Sequence, residues 1–271
     1  MIKRAWVLLS TAYANMLEYR GELFLWAVAM ALPLILMGLW TEAASEAPRS
    51  LSPAGFARYF IAVYAIRQMT VVWVIYEFGW QVVSGQLSSL LVQPMDPGWR
   101  FVAWHRGEHL ARFPLVLPLF GLCLALFPEA LIGDERLGPW RPDIGNVLLA
   151  LVLAELSWWV RFVLQYTLAM LAFFVERVSS LSYVVFLPYL FLSGTVAPIE
   201  EFPRWAATTV RLTPFPYMAW MPAMLLVEPG RISTQEAFQG IAILTVWGLL
   251  LFFVNRWAWR KGLARYSAMG A

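Results

Sequence analysis

The sequence predicts an all-α membrane protein with six transmembrane helices, on two main observations. The 271 residues are 61% hydrophobic and only 14% charged, with a mean hydropathy of +0.64. A soluble chain carries about 25% charged and 45–50% apolar residues, so this excess must face lipid. In addition, six stretches have roughly the 20 apolar residues needed to cross a hydrocarbon core about 30 Å thick: 23–40, 56–83, 113–131, 144–174, 179–197 and 239–257. The 15 tryptophans agree, because indole prefers the level of the lipid headgroups.

The chain opens on an amphipathic pattern. Apolar residues fall at 5, 6, 8, 9, 12, 13, 16 and 17, with Ser10, Thr11, Asn15 and Glu18 opposite. This predicts a helix over 1–21 lying in the membrane interface. Lys3, Arg4 and Ala12-Tyr13-Ala14 imitate a cleavable signal, but the helical period favours an uncleaved interfacial helix.

Orientation follows from basic residues near the span ends. With the N-terminus inside, eleven basic residues, Arg177 among them, face five acidic ones inside, and seven basic face ten acidic ones outside. Both termini are then cytoplasmic, as an even number of spans requires. The long second and fourth stretches should tilt or project.

Segment 197–238 contains Pro198, Pro203, Pro214, Pro216, Pro222 and Pro229. Its apolar part, 215–227, is too short to cross at 1.5 Å per residue. A re-entrant or interfacial helical pair entering from the outer face is expected. There is no internal repeat, and the chain reads as one domain, 1–271.

Three motifs bear on chemistry. His105-Arg106-Gly107-Glu108-His109 matches the H-x-x-E-H zinc pattern, with Glu176 as a conceivable third ligand. It is expected in a short inter-helix loop with Gly107 inside it, so a headgroup-facing role is preferred and no metal is assigned. Glu200-Glu201 with Arg204 falls in a proline-rich turn and looks accidental. No P-loop is present, since neither Lys3 nor Lys261 follows phosphate-cradling glycines; ATP, if used, is hydrolysed elsewhere. Cys123 has no partner for a disulfide, and a net charge of +3 calls for no nucleic-acid partner.

Four charges lie within predicted spans: Arg67 and Glu77 in the second, Glu155 and Arg161 in the fourth. Ionised groups at that depth need partners or water. Their offsets predict neighbouring helices with Arg67 facing Glu155 and Glu77 facing Arg161. The pairs either hold helices together or flank a polar substrate path with Gln68 and Gln165.

The loop between spans two and three, 84–112, carries Gly85-Gln86-Leu87-Ser88-Ser89-Leu90-Leu91-Val92-Gln93-Pro94, a short amphipathic helix between glycine and proline. This run resembles the coupling helix of type-2 ABC exporter permeases. Leu192-Ser193-Gly194, Pro198, Phe202-Pro203-Arg204-Trp205 and Thr213-Pro214 resemble that family's signature after span five and its extracellular re-entrant helices. The resemblance covers nearly the whole chain, although the outer loop 132–143 is longer than expected.

Several expectations follow from it. Two permease chains, identical or homologous, sit over two ATP-binding cassette subunits that carry ATP and Mg, in a bacterial inner membrane. The chain itself is no enzyme and binds no cofactor. It exports a lipid, glycolipid, polysaccharide or amphiphilic compound. Leu87, Leu90 and Leu91 are expected to insert into a groove of the ATPase. An intramembrane metal enzyme and an ATP-independent secondary transporter remain the alternatives; the latter is disfavoured for want of paired broken helices.

Overall fold

The structure, a computed structural model, describes residues 2–175 and 178–269. Glu176 and Arg177 lie outside the described residues. All described secondary structure is helical, in the order α1 (Ile2–Glu18), α2 (Arg20–Ala29), α3 (Leu32–Glu46), α4 (Pro53–Thr70), α5 (Val74–Val83), α6 (Leu87–Leu91), α7 (Gly98–Leu126), α8 (Glu129–Ile132), α9 (Ile144–Ala169), α10 (Ser182–Leu192), α11 (Arg204–Val210), α12 (Phe215–Met218), α13 (Trp220–Val227) and α14 (Thr234–Met269).

Five helices among the described residues are long and apolar enough to cross a membrane: Arg20–Glu46, Pro53–Val83, Gly98–Leu126, Ile144–Phe173 and Thr234–Tyr266. The predicted fifth stretch, 179–197, gives the shorter apolar helix Ser179–Leu192, about 20 Å long at 1.5 Å per residue. The third begins well before residue 113, so the H-x-x-E-H residues belong to a continuous helix and not to a loop. Pro114 and Pro118 lie inside that helix.

Pro53–Val83 is the central element. Its most apolar window is 78% buried inside the protein, against 17% for Thr234–Tyr266. The peripheral helices instead expose residues such as Ile35, Leu39, Phe113, Leu126 and Phe253, as lipid-facing helices do.

The amphipathic helix forms as predicted and lies along α7. Ala12 and Met16 face inward, and a Cβ on Gly107 would stand 2.8 Å from Ala12 Cβ and from Tyr13 N. Gly107 therefore lets α1 approach the α7 backbone closely.

Residues 193–198 leave helical geometry yet stay largely inside the protein. Their backbone is satisfied by distant donors: Trp220 N to Ser193 O at 2.9 Å, the Tyr59 hydroxyl to Gly194 O at 2.6 Å, and Trp40 Nε1 to Val196 O at 3.0 Å. Unwound backbone away from water survives only where it finds such partners. Gly194 has φ +86°, and a Cβ there would meet Trp220 Cβ and the Tyr59 hydroxyl at 2.6 Å.

Of the next two apolar helices, α13 packs against α4 and α9, and α12 packs against α9 and α14. Between them Ala219 leaves helical geometry (φ −139°, ψ −50°), and Ser157 of α9 donates to the freed Met218 carbonyl at 3.1 Å. At the other end Trp140 Nε1 donates to Leu226 O at 2.6 Å. Trp220, Met221, Met224 and Leu225 are thus core residues. The long loop 132–143 is also tied down: buried Arg58 donates to the carbonyls of Ala130 and Gly138, and the Asp134 carboxylate accepts the Ala54 N–H at 3.0 Å.

Candidate functional site

The central helix is interrupted. Five of the six β-branched or bulky positions Thr70, Val71, Val72, Trp73, Val74 and Ile75 are β-branched, which restricts χ1 and lowers helix preference. The chain leaves α4 at Val71 (φ −65°, ψ 142°) and re-enters a helix after Trp73. Such a break frees backbone groups that need partners.

Both histidines of α7 supply them. His105 Nε2 accepts the Trp73 N–H at 2.9 Å, which leaves Nδ1 as the donor to Phe101 O at 2.8 Å. One turn later His109 Nε2 donates to Val71 O at 3.0 Å. Spacing of four residues puts two ring nitrogens on one face, and here that face spans a three-residue break. Between them, Glu108 forms a buried ion pair with Arg112, and Arg106 pairs with Glu155. Among the described residues no group of three His, Cys, Asp or Glu side chains is placed to hold a metal; Glu176 is not among them.

Two cavities flank the break and share Trp26, Trp73 and Tyr76. The larger, about 760 Å³, is also lined by Met16, Glu22 and Trp104. The smaller, about 280 Å³, holds Arg67, Arg161 and Gln165 between α2, α4, α9 and α10. Arg161 is 9% exposed, donates to Thr70 Oγ1 at 3.0 Å and lies over the Tyr189 ring at 3.9 Å.

The predicted charge pairs do not form, although spans two and four are neighbours. Glu155 turns outward to Arg106 of α7, whose guanidinium also stacks on Trp158 at 3.6 Å. Arg67 and Arg161 share the cavity instead, and Glu77 has no ion-pair partner among the described residues. Matching depth alone does not fix which way a side chain turns around its helix. Gln68 is buried away from the cavity, donating to Ala27 O at 3.3 Å.

At the opposite end of the bundle α6 follows Gly85, whose φ of +75° turns the chain. Leu87 and Leu90 are buried in a cluster with Phe78 of α5, Phe101 of α7, Phe162 and Tyr166 of α9 and Trp259 of α14, and Leu91 packs against its rim. The leucines are therefore not the presented face, contrary to expectation. Gln86, Ser88, Ser89, Val92, Gln93 and Pro94 are exposed. Ser88 and Ser89 donate to the carbonyls of Gly85 and Gln86, which holds the turn.

A model of the ABC-2 family transporter protein matches residues 54–270, from the start of the central helix to the C-terminal end of α14. The chain belongs to the ABC-2 transporter family. No curated protein and no solved structure matches it. It is a multi-pass membrane permease of the ABC transporter class.

In this ABC-2 permease, Leu192-Ser193-Gly194 marks the unwound end of α10 that seats Trp220. Pro198 and Pro203 precede the 3-10 turn Ile199–Glu201 and α11, and Pro214 precedes α12. Trp205 is 76% exposed on α11. Sequence reasoning missed the aromatic wall of Trp26, Trp73, Tyr76 and Tyr189, and the use of both histidines as backbone partners. The β-branched run in span two was the available signal for the break.

Proposed function

We propose that the chain is the membrane-spanning subunit of an ATP-driven exporter, partnered by two ATP-binding cassette subunits and a second permease chain. Both termini are cytoplasmic in a bacterial inner membrane, and ATP and Mg stay on the partner. In this reading Ser179–Leu192 and the unwound residues after it complete a sixth crossing. Helices α11 to α13 form a re-entrant segment entering from the outer face; the bond from mid-helix Ser157 to Met218 supports that depth.

One observation carries the mechanism. α6 is fixed through Leu87 and Leu90 to a cluster shared by α5, α7, α9 and α14, while its other face is bare. A push on Gln86, Ser89 or Val92 is transmitted to four helices at once. α5 leads directly into the Val71–Trp73 break, so the same push bends the central helix where it lines the cavities. ATP binding on the partner biases this two-position element. The cargo, a lipid, glycolipid, polysaccharide or amphiphile, passes along Arg67, Arg161 and Gln165.

Purification of the complex in mild detergent tests this reading. A co-purifying ATP-binding cassette subunit that the Ser89→Arg variant loses supports it. Recovery of the chain alone, with transport intact, overturns it.

A further inference from the structure

The smaller cavity has a chemistry of its own. Two arginines and one glutamine line it, and among the described residues no carboxylate does. Arg67 Nη1, Arg161 Nε and Gln165 Oε1 are buried without a hydrogen-bond partner. Arg161 has given its one bond to Thr70 and covers Tyr189, which leaves most of its five donors unused. Measured along their helices from the outer ends, Arg67 and Arg161 lie about 20 and 25 Å in, at 1.5 Å per residue. Buried cations at such depth are costly without a counter-charge.

The walls are apolar. Trp26, Trp73, Tyr76, Val185 and Phe186 surround the arginines. Trp26 packs tilted against Trp73 at 5.6 Å between ring centroids, and Trp26 and Phe186 are 47% and 43% exposed at the rim. An anion would satisfy the free guanidinium donors, whose fork geometry suits oxyanions. An attached hydrocarbon chain would lie along the aromatic wall into the larger cavity.

We infer that this cavity binds the anionic head of an amphiphile, with Arg67 and Arg161 as its counter-charges. The inference rests on the permease reading for its role, but the binding itself needs no nucleotide.

The test is equilibrium binding of radiolabelled dodecyl phosphate to the full chain, with its co-purifying subunits, in nanodiscs of zwitterionic lipid. Saturable binding is expected, with Kd raised tenfold or more by Arg67→Gln and by Arg161→Gln and largely restored by Arg161→Lys. Melting temperatures of the variants separate lost binding from lost folding. Dodecyltrimethylammonium and inorganic phosphate should not compete. Equal binding of the cationic amphiphile, indifference to both glutamine variants in folded protein, or equal competition by inorganic phosphate overturns the inference. If dodecyl phosphate fails to bind while ATP-driven export persists, the anion site alone falls. If binding persists and no ATP-binding partner exists, the exporter reading alone falls.

Discussion

His105 accepts the backbone N–H of Trp73 across 2.9 Å, and so caps the second half of a helix that the sequence itself interrupts. A buried donor left without its acceptor costs about 1–3 kcal/mol. His105→Ala should therefore lower the thermal stability of the purified chain and speed hydrogen exchange at the Trp73 amide. Chelators should leave the wild-type melting temperature unchanged. A stability loss reproduced by metal removal would restore the zinc-like reading of this motif.

Gly194→Ala should be among the most damaging single changes. The added Cβ meets Trp220 and Tyr59 at 2.6 Å, in a backbone conformation that L side chains rarely adopt. Expression followed by size-exclusion chromatography checks it; a monodisperse, wild-type yield would contradict the packing described for residues 193–198.

Two substitutions on α6 should separate fold from contact. Leu87→Ala removes a fully buried side chain and should cost about 2–5 kcal/mol of stability. Ser89→Arg lies on the exposed face and should leave the melting temperature near wild type while weakening association with the ATP-binding subunit. Thermal melts paired with co-purification decide between them.

In the 132–143 loop, burial pushes the Asp134 carboxyl up, but hydrogen bonds from Ser52 and from the backbone of Ala54, Arg136 and Leu137 outweigh it and hold the group below the usual carboxylate range. A depressed folded value contributes stability above the unfolded pKa of about 3.9, lost as pH falls through the folded value. The 132–143 loop should thus stay closed at pH 5–7 and loosen only below about pH 4. Asp134→Asn should loosen it at all these pH values. Hydrogen exchange at the Arg136 and Leu137 amides reads both.

Glu155 and Arg106 form the pair that Glu155 and Arg67 do not. Arg106→Glu should impair accumulation of the chain, and adding Glu155→Arg should recover it. Rescue by Arg67→Glu with Glu155→Arg instead would reinstate the sequence-based pairing.

Much of this was legible from the sequence. Helix type, the amphipathic start, the second and fourth spans and the family resemblance follow from hydropathy period and a few glycines and prolines. Two of the failures share one cause, which is rotation about a helix axis. Leu87 and Leu90 have the spacing of a docking face, but the same spacing serves equally to bury them in their own bundle. Arg67 and Glu155 match in depth and diverge in direction. His105 and His109 have metal-ligand spacing, and their use was set by a backbone break visible only as a run of β-branched residues. The 113–131 span began too late because Arg106, Glu108 and Arg112 suppress hydropathy in a helix where pairing, not solvent, satisfies Glu108 and Arg112.

The central claim, that α6 transmits force from a separate ATP-binding subunit through its polar face, is tested most directly by photo-crosslinking. A photoreactive residue placed at position 89 or 92 should yield an adduct with a second polypeptide that binds ATP, and one placed at 87 should yield none. Adducts from position 87 but not from 89 or 92, or no adduct from any of the three in an actively transporting complex, would contradict it.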